Sequence, residues 1–175
     1  AFVDIQNEQF YDSGLIPVGY PTVQEIIDNM TTAATMYPAI CTLVDLTAVY
    51  GLPATYGGRH MYAVKISDNV LTEEDEPAFL MVSCHHAREV VTPVVALYAI
   101  EQFTTQYGTS PQITGLVNSH EIWISPLWNP DGYDYVYNYD NWWRKNRQYF
   151  PQYGTYGVDL NRNYPFGWSS GCSGS

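Results

Sequence analysis

The chain has 175 residues, 46% hydrophobic and 14% charged, which suits one domain with a sizeable core and excludes a disordered segment. Seven Lys and Arg against eighteen Asp and Glu give a formal net charge of −11, which argues against nucleic acid or an anionic membrane as partner, since both demand basic surface. No apolar run approaches the length of a membrane span, and the start AFVDIQNEQF lacks the basic and hydrophobic parts of a signal peptide, so a soluble chain is expected whose export signal is already removed or was never there.

After an extended start, YPTVQEIIDNMTTAATMYP predicts an amphipathic helix ending before Pro38. Thr22 stands as N-cap with Glu25 three residues on, and Val23, Ile26, Ile27 and Met30 share one face. CTLVDLTAVYG and HMYAVKIS alternate apolar and polar residues around the turn-rich GLPATYGGR, which predicts two strands and a hairpin. An acidic loop, SDNVLTEEDEP, reads as solvated surface and leads into AFLMVSC, a continuous apolar run suited to a buried central strand. From Thr92 the pattern turns helical, with Pro93 in the first turn, and continues to Gly108. A shorter helix opens at Ser110 and Pro111 and ends near Ser119. HEIWISPLW then reads as another buried strand, closed by a turn at NPDG, residues 129–132. The order strand, helix, helix, strand indicates an α/β fold with crossovers, and neither a repeat nor a linker divides the chain.

The basic residues are few enough to name: Arg59, Lys65, Arg88, Arg144, Lys145, Arg147 and Arg162. The three cysteines, Cys41, Cys84 and Cys172, form no CxxC or Cys/His cluster, and an odd number cannot pair completely within one chain. Five Trp, sixteen Tyr and scarce Lys lean toward an extracellular protein.

The stretch SCHHAREVVTP, residues 83–93, places two histidines, an arginine and a glutamate where a strand gives way to a helix, a favoured position for ligands in α/β proteins. His86 and Glu89 are three apart, and an imidazole and a carboxylate entering a helix at that spacing can meet on one Zn²⁺ ion. The same pair also suits ordinary loop hydrogen bonding, or a carboxylate placed by the helix dipole. His85 competes with His86 for the ligand role but would need a four-residue spacing to Glu89, so His86 is preferred. Further on, NWWRKNR and GVDLNRNYPFGW supply Arg144, Asn161 and Arg162. A planar guanidinium can grip a carboxylate through two bonds or face an oxyanion beside a metal. An arginine on a short helix is commonly just solvated, and D-x-N-R-N is commonly a turn.

HARE, NPDG, WWRKNR and GVDLNRNYPFGW, in this order and at these intervals, resemble the zinc carboxypeptidases of the carboxypeptidase A and T type over about residues 20–168. YPTVQEIIDNM resembles that family's first helix, and GGRHMYAVKIS its strand before the zinc loop. The resemblance implies an α/β fold with a mixed, mainly parallel central sheet flanked by helices, of which residues 1–175 are the N-terminal portion of one catalytic domain. It implies one zinc ion held by His86 and Glu89, with Arg144 stabilising the oxyanion. Asn161 and Arg162 would clamp the terminal carboxylate of the substrate, and Arg88 would be an auxiliary substrate-binding arginine. Asp159 would hydrogen-bond the zinc histidine, although an Asp there also serves as a plain turn former. The implied activity is metal-assisted hydrolysis of the last peptide bond of peptides or proteins with a free C-terminus, by a secreted enzyme.

The resemblance also implies a third ligand histidine, a base glutamate, a capping tyrosine and a specificity pocket, all beyond SSGCSGS. His60 and His120 sit in strand contexts that do not suit the missing ligand. The chain alone is therefore expected to be inactive and to expose a sheet edge that a complementary C-terminal segment covers. That segment would be continuous or a second chain made by cleavage at residues 171–175. The contrasting expectations are a non-catalytic module that binds peptide ends, and a family member acting on peptidoglycan peptides or amide-linked small acids.

Overall fold

The computed structural model describes residues 19–166, so the extended start, Cys172 and the loop at 171–175 lie outside the described residues. Helix α1, Val23–Met36, begins as its sequence predicts. Thr22 Oγ1 accepts from the Glu25 amide and Glu25 Oε2 accepts from the Thr22 amide at 2.7 Å, a reciprocal cap worth about 1 kcal/mol. Ile26, Met30 and Ala33 form its buried stripe. Strand β1, Cys41–Asp45, is shorter than its alternating pattern, because Asp45 Oδ1 accepts from the Ala48 amide and caps a four-residue helix, α2, Leu46–Val49. Strand β2, Tyr62–Ile66, returns antiparallel to β1 with Cys41 opposite Ile66.

Strand β3, Ala78–Val82, is followed by α3, Val91–Thr105, and α4, Pro111–Val117, before β4, Glu121–Ser125, lies down parallel to β3. This is the crossover the element order predicts, since parallel neighbours need a long connection. Helix α5, Pro130–Asn138, a short hairpin of β5, Tyr149–Phe150, and β6, Thr155–Tyr156, and a 3-10 turn, Leu160–Arg162, complete the described chain.

The sheet order is β1-β2-β4-β3. The sheet is mixed as expected, but among the described strands β1–β2 and β2–β4 are antiparallel and only β3–β4 is parallel, so this portion lacks the expected parallel majority. Alternate residues Cys41, Val64, Ile66, Ile122 and Ile124 enter one core with Ile26 and Met30 of α1, Ala96, Leu97 and Ile100 of α3, and Tyr133 of α5. On the intervening positions Lys65 is buried as an ion pair with Glu121, beside Trp123.

Two expectations are corrected. Among the described residues AFLMVSC lies at the edge of the sheet rather than in its buried centre: β3 pairs there with β4, and Phe79 and Leu80 are 52% and 62% exposed, the kind of open edge expected of an N-terminal portion. A continuous apolar run reports that both faces of a strand are apolar, not which neighbours it has. The NPDG motif is the first turn of α5 rather than a closed turn, because an Asn cap followed by Pro initiates a helix as readily as a turn. Asn129 Oδ1 accepts from the Gly132 amide, with Pro130 in the first helical turn. Asp131, buried, accepts from Thr55 Oγ1, the Gly57 amide and Arg59 Nη1, and so ties α5 to the loop between β1 and β2.

Candidate active site

The site lies where β3 and β4 end. Ser83 extends the pairing by donating to the Ser125 carbonyl, and the next residue, Cys84, turns the chain with a left-handed φ of 56°. The Cys84 amide donates to Thr92 Oγ1, whose hydroxyl donates to the Glu89 carbonyl, while the Glu89 amide donates to the His86 carbonyl. These short-range bonds wind residues 84–92 into a compact loop on the first turn of α3. The Cys84 thiol is buried against the carbonyls of His86 and Ala87, and burial pushes its pKa up to about 12, so it packs rather than reacts. A left-handed backbone strains any side chain, most of all a β-branched one. Cys84→Gly is therefore expected to stay within about 1 kcal/mol of the parent stability, strain relief offsetting lost packing, whereas Cys84→Val costs about 2 kcal/mol or more by denaturant unfolding.

The loop delivers His86, 7% exposed, to the centre of a polar chain. Its Nδ1 lies 2.8 Å from Glu89 Oε1 and its Nε2 lies 3.1 Å from Asp159 Oδ1. Asp159 Oδ2 in turn accepts from Arg144 Nε at 3.1 Å, and Asp159 Oδ1 also accepts from the Asn161 amide at 3.0 Å. The Ala87 amide donates to the Arg144 carbonyl, which binds the loop to the segment bearing that arginine. Burial raises the Asp159 carboxyl, but the Arg144 hydrogen bond and the charges of His86 and Arg144 outweigh it and hold its pKa below the ordinary carboxylate value.

Four residues singled out in the sequence thus meet in one row, Glu89, His86, Asp159 and Arg144. Arg144 sits in an irregular segment rather than on a short helix, and its Nη1 lies 4.0 Å from Glu89 Oε1. The remaining three occupy an exposed rim. Arg88 Nη1 donates to the Trp142 carbonyl at 3.4 Å, Arg162 Nη1 donates to the Asn161 carbonyl at 2.9 Å, and Asn161 is joined to the row through Asp159. His85 has different company: its Nε2 faces the Tyr164 hydroxyl and its ring is tilted against Trp128. Burial and the neighbouring His86 push its pKa down. Thr92, Trp128 and Tyr164 were not singled out in the sequence, and only the N-terminal helical signal at Thr92 marked any of them.

The donor set fits half of a metal centre. His86 Nδ1 and Glu89 Oε1 lie 2.8 Å apart while Nε2 faces the Asp159 carboxylate, so in the tautomer with its proton on Nε2 the Nδ1 lone pair and Glu89 Oε1 could hold a cation between them. Among the described residues no third His, Cys, Asp or Glu joins them. Among the described residues the single group of three close ligating side chains is Asp68, Glu74 and Glu76, which flank the other ends of β2 and β3. His60 pairs with Asp45 and His120 with Ser119, so neither reaches the row.

A mixed sheet with a His and carboxylate pair at the carboxyl ends of its parallel strands defines an α/β protein whose loop there could hold a metal. A family profile described as zinc carboxypeptidase matches residues 20–175. The chain belongs to the zinc carboxypeptidase family. It is 40% identical over 176 residues to a zinc carboxypeptidase of Saccharothrix mutabilis subsp. capreolus, covering 99% of this chain and 38% of that protein. It is 35% identical over 162 residues to carboxypeptidase A2 of Rattus norvegicus, covering 89% and 36%. The crystal structure of carboxypeptidase A from Helicoverpa armigera superposes with a TM-score of 0.75 at 31% identity, over 89% of this chain and 36% of that one. The chain therefore spans less than two fifths of the length of these relatives. Among the described residues no helix is long and apolar enough to cross a membrane.

Proposed function

We propose that residues 1–175 are the N-terminal portion of the catalytic domain of a secreted metallocarboxypeptidase that removes the C-terminal residue of peptides or proteins. The row Glu89, His86, Asp159 and Arg144 carries this reading, because it joins a metal donor pair, its orienting carboxylate and a guanidinium within successive contacts. His86 Nδ1 and Glu89 would hold one zinc ion, with the third protein donor and a base glutamate supplied by a complementary C-terminal segment. Zinc bound there would supply Lewis acidity, polarising a carbonyl and lowering the pKa of water.

The chain's own groups do the rest. Asp159 fixes the His86 tautomer and anchors Arg144 by Nε, which leaves the two terminal nitrogens of that guanidinium as donors for charge developing on the scissile carbonyl oxygen. Asn161 and Arg162, exposed beside it, would grip the substrate carboxylate, and Arg88 would bind substrate next to them. Three of seven basic residues would then converge on one site in a protein of net charge −11, which suits an anionic peptide end.

The test is an assay of the complete protein on peptides with free and amidated C-termini, with chelation and zinc re-addition. Release of the last residue should require zinc and fall about a hundredfold on amidation, the worth of a charge-assisted clamp. Binding of free-carboxylate peptides without release would make this a peptide-end-binding module. Release from peptidoglycan peptides alone would move it to that substrate class.

A further inference from the structure

Rings from α5, from β6 and from its own segment meet around one guanidinium. Arg147 Cζ lies 3.7 Å from the ring centre of Tyr135 on α5, 4.5 Å from that of Trp143 and 4.4 Å from that of Tyr156 on β6. Tyr135 and Trp143 themselves meet edge to face, centroids 5.2 Å apart. Although carboxylates far outnumber cations in this chain, no carboxylate pairs with Arg147 among the described residues. Ring faces hold it, and they favour a planar guanidinium over an ammonium.

The cage sits on the segment that bears Arg144. Trp143 Nε1 donates to the Lys145 carbonyl at 2.6 Å and folds residues 143–146 back on themselves. The Asn146 amide donates to the Val158 carbonyl and Asn146 Oδ1 accepts from the Val158 amide, so this segment is zipped to the one that leads into Asp159. Both sides of it are too close for a side chain: a Cβ on Gly132 would meet the Lys145 carbonyl at 2.6 Å, and one on Gly157 would meet Lys145 Cβ at 2.7 Å. Arg147 spans these same two neighbours, Tyr135 on the Gly132 side and Tyr156 on the Gly157 side.

We propose that Arg147, clasped by Tyr135, Trp143 and Tyr156, is a positioning residue that sets the register of residues 143–147 against 156–159 and thereby fixes Arg144 on Asp159. The proposal rests on the reading of Arg144 as the oxyanion-facing donor. In the complete zinc-loaded enzyme, Arg147→Ala should lower kcat about tenfold to a hundredfold with KM changed by no more than about twofold, because misplacing one donor by about an ångström harms the transition state first. Arg147→Lys should recover part of the loss. Tyr156→Phe should be silent and Tyr156→Ser should resemble a weaker Arg147→Ala, and this pair carries the comparison if Arg147→Ala does not fold.

The deciding measurement is a cycle with Arg144→Ala: a residue acting through Arg144 adds no further kcat loss once Arg144 is gone, whereas a merely structural one does. The Trp143 indole N–H resonance gives a readout apart from activity, expected to shift in Arg147→Ala and to stay in Arg144→Ala. An additive cycle, or a silent Arg147→Ala beside an impaired Arg144→Ala, overturns the positioning role alone. A silent Arg144→Ala removes the reading beneath it and the proposal together, even if the indole resonance shows the cage intact.

Discussion

His86→Ala is expected to strip the complete protein of its zinc: metal analysis after dialysis should fall from one ion per chain to near none, and peptide release should fall to background. The imidazole is the buried member of the donor pair, and its Nδ1 is already 2.8 Å from Glu89 Oε1 while Nε2 is tied to Asp159. Removing it leaves an exposed glutamate as the sole donor from this loop beside the third donor proposed from the C-terminal segment, and two protein ligands hold zinc poorly. His85→Ala is the control and should retain the metal, since its Nε2 faces Tyr164 instead. Asp159→Asn should weaken the metal by about tenfold to a hundredfold, the usual cost of losing the partner that orients a ligand histidine. Zinc retained by His86→Ala and lost by His85→Ala would reassign the ligand.

The second large effect separates two arginines. Arg144→Ala should lower kcat about a hundredfold to a thousandfold, the range for loss of one oxyanion donor, with little change in KM. Arg162 is exposed and bonded only to the neighbouring Asn161 carbonyl in the described structure, so its guanidinium is free to meet a chain end. Arg162→Ala should raise KM about a hundredfold for free-carboxylate peptides and leave amidated ones unaffected, with partial recovery in Arg162→Lys. Steady-state kinetics on matched peptides reads both. Equal losses on free and amidated substrates after Arg162→Ala would remove the clamp.

What could be read from the sequence was local, and what could not was relational. The Thr22 and Glu25 cap is visible because both partners lie within one turn. The crossover from β3 to β4 is visible because its helices declare themselves by period. The edge position of β3 among the described strands depends on which other strands are present to pair with it, information that its own apolar run does not hold. Asn129 and Pro130 begin a helix with the same letters that begin a turn. Within the site, spacing brought out His86 and Glu89, the motifs NWWRKNR and GVDLNRNYPFGW brought out Arg144, Asn161 and Arg162, and family resemblance added Asp159 and Arg88. Arg147 escaped notice because its partners are rings contributed by α5 and β6, and nothing in the linear order of Tyr135, Arg147 and Tyr156 says that they meet.

The site also has an internal chronology. The contact of His86 with Glu89 spans three residues and the Cys84 to Thr92 bond spans eight, whereas the bond from His86 to Asp159 spans 73. A chain made in order holds both partners of the first two contacts before Asp159 has been added. During that interval the imidazole has Glu89 beside Nδ1 but lacks the Asp159 carboxylate that Nε2 meets in the folded chain. Closing a loop of 73 residues costs entropy that only docking of the Arg144 and Asp159 segments offsets. On the proposed reading, the fully oriented metal site is therefore expected to form only after the Arg144 and Asp159 segments have docked.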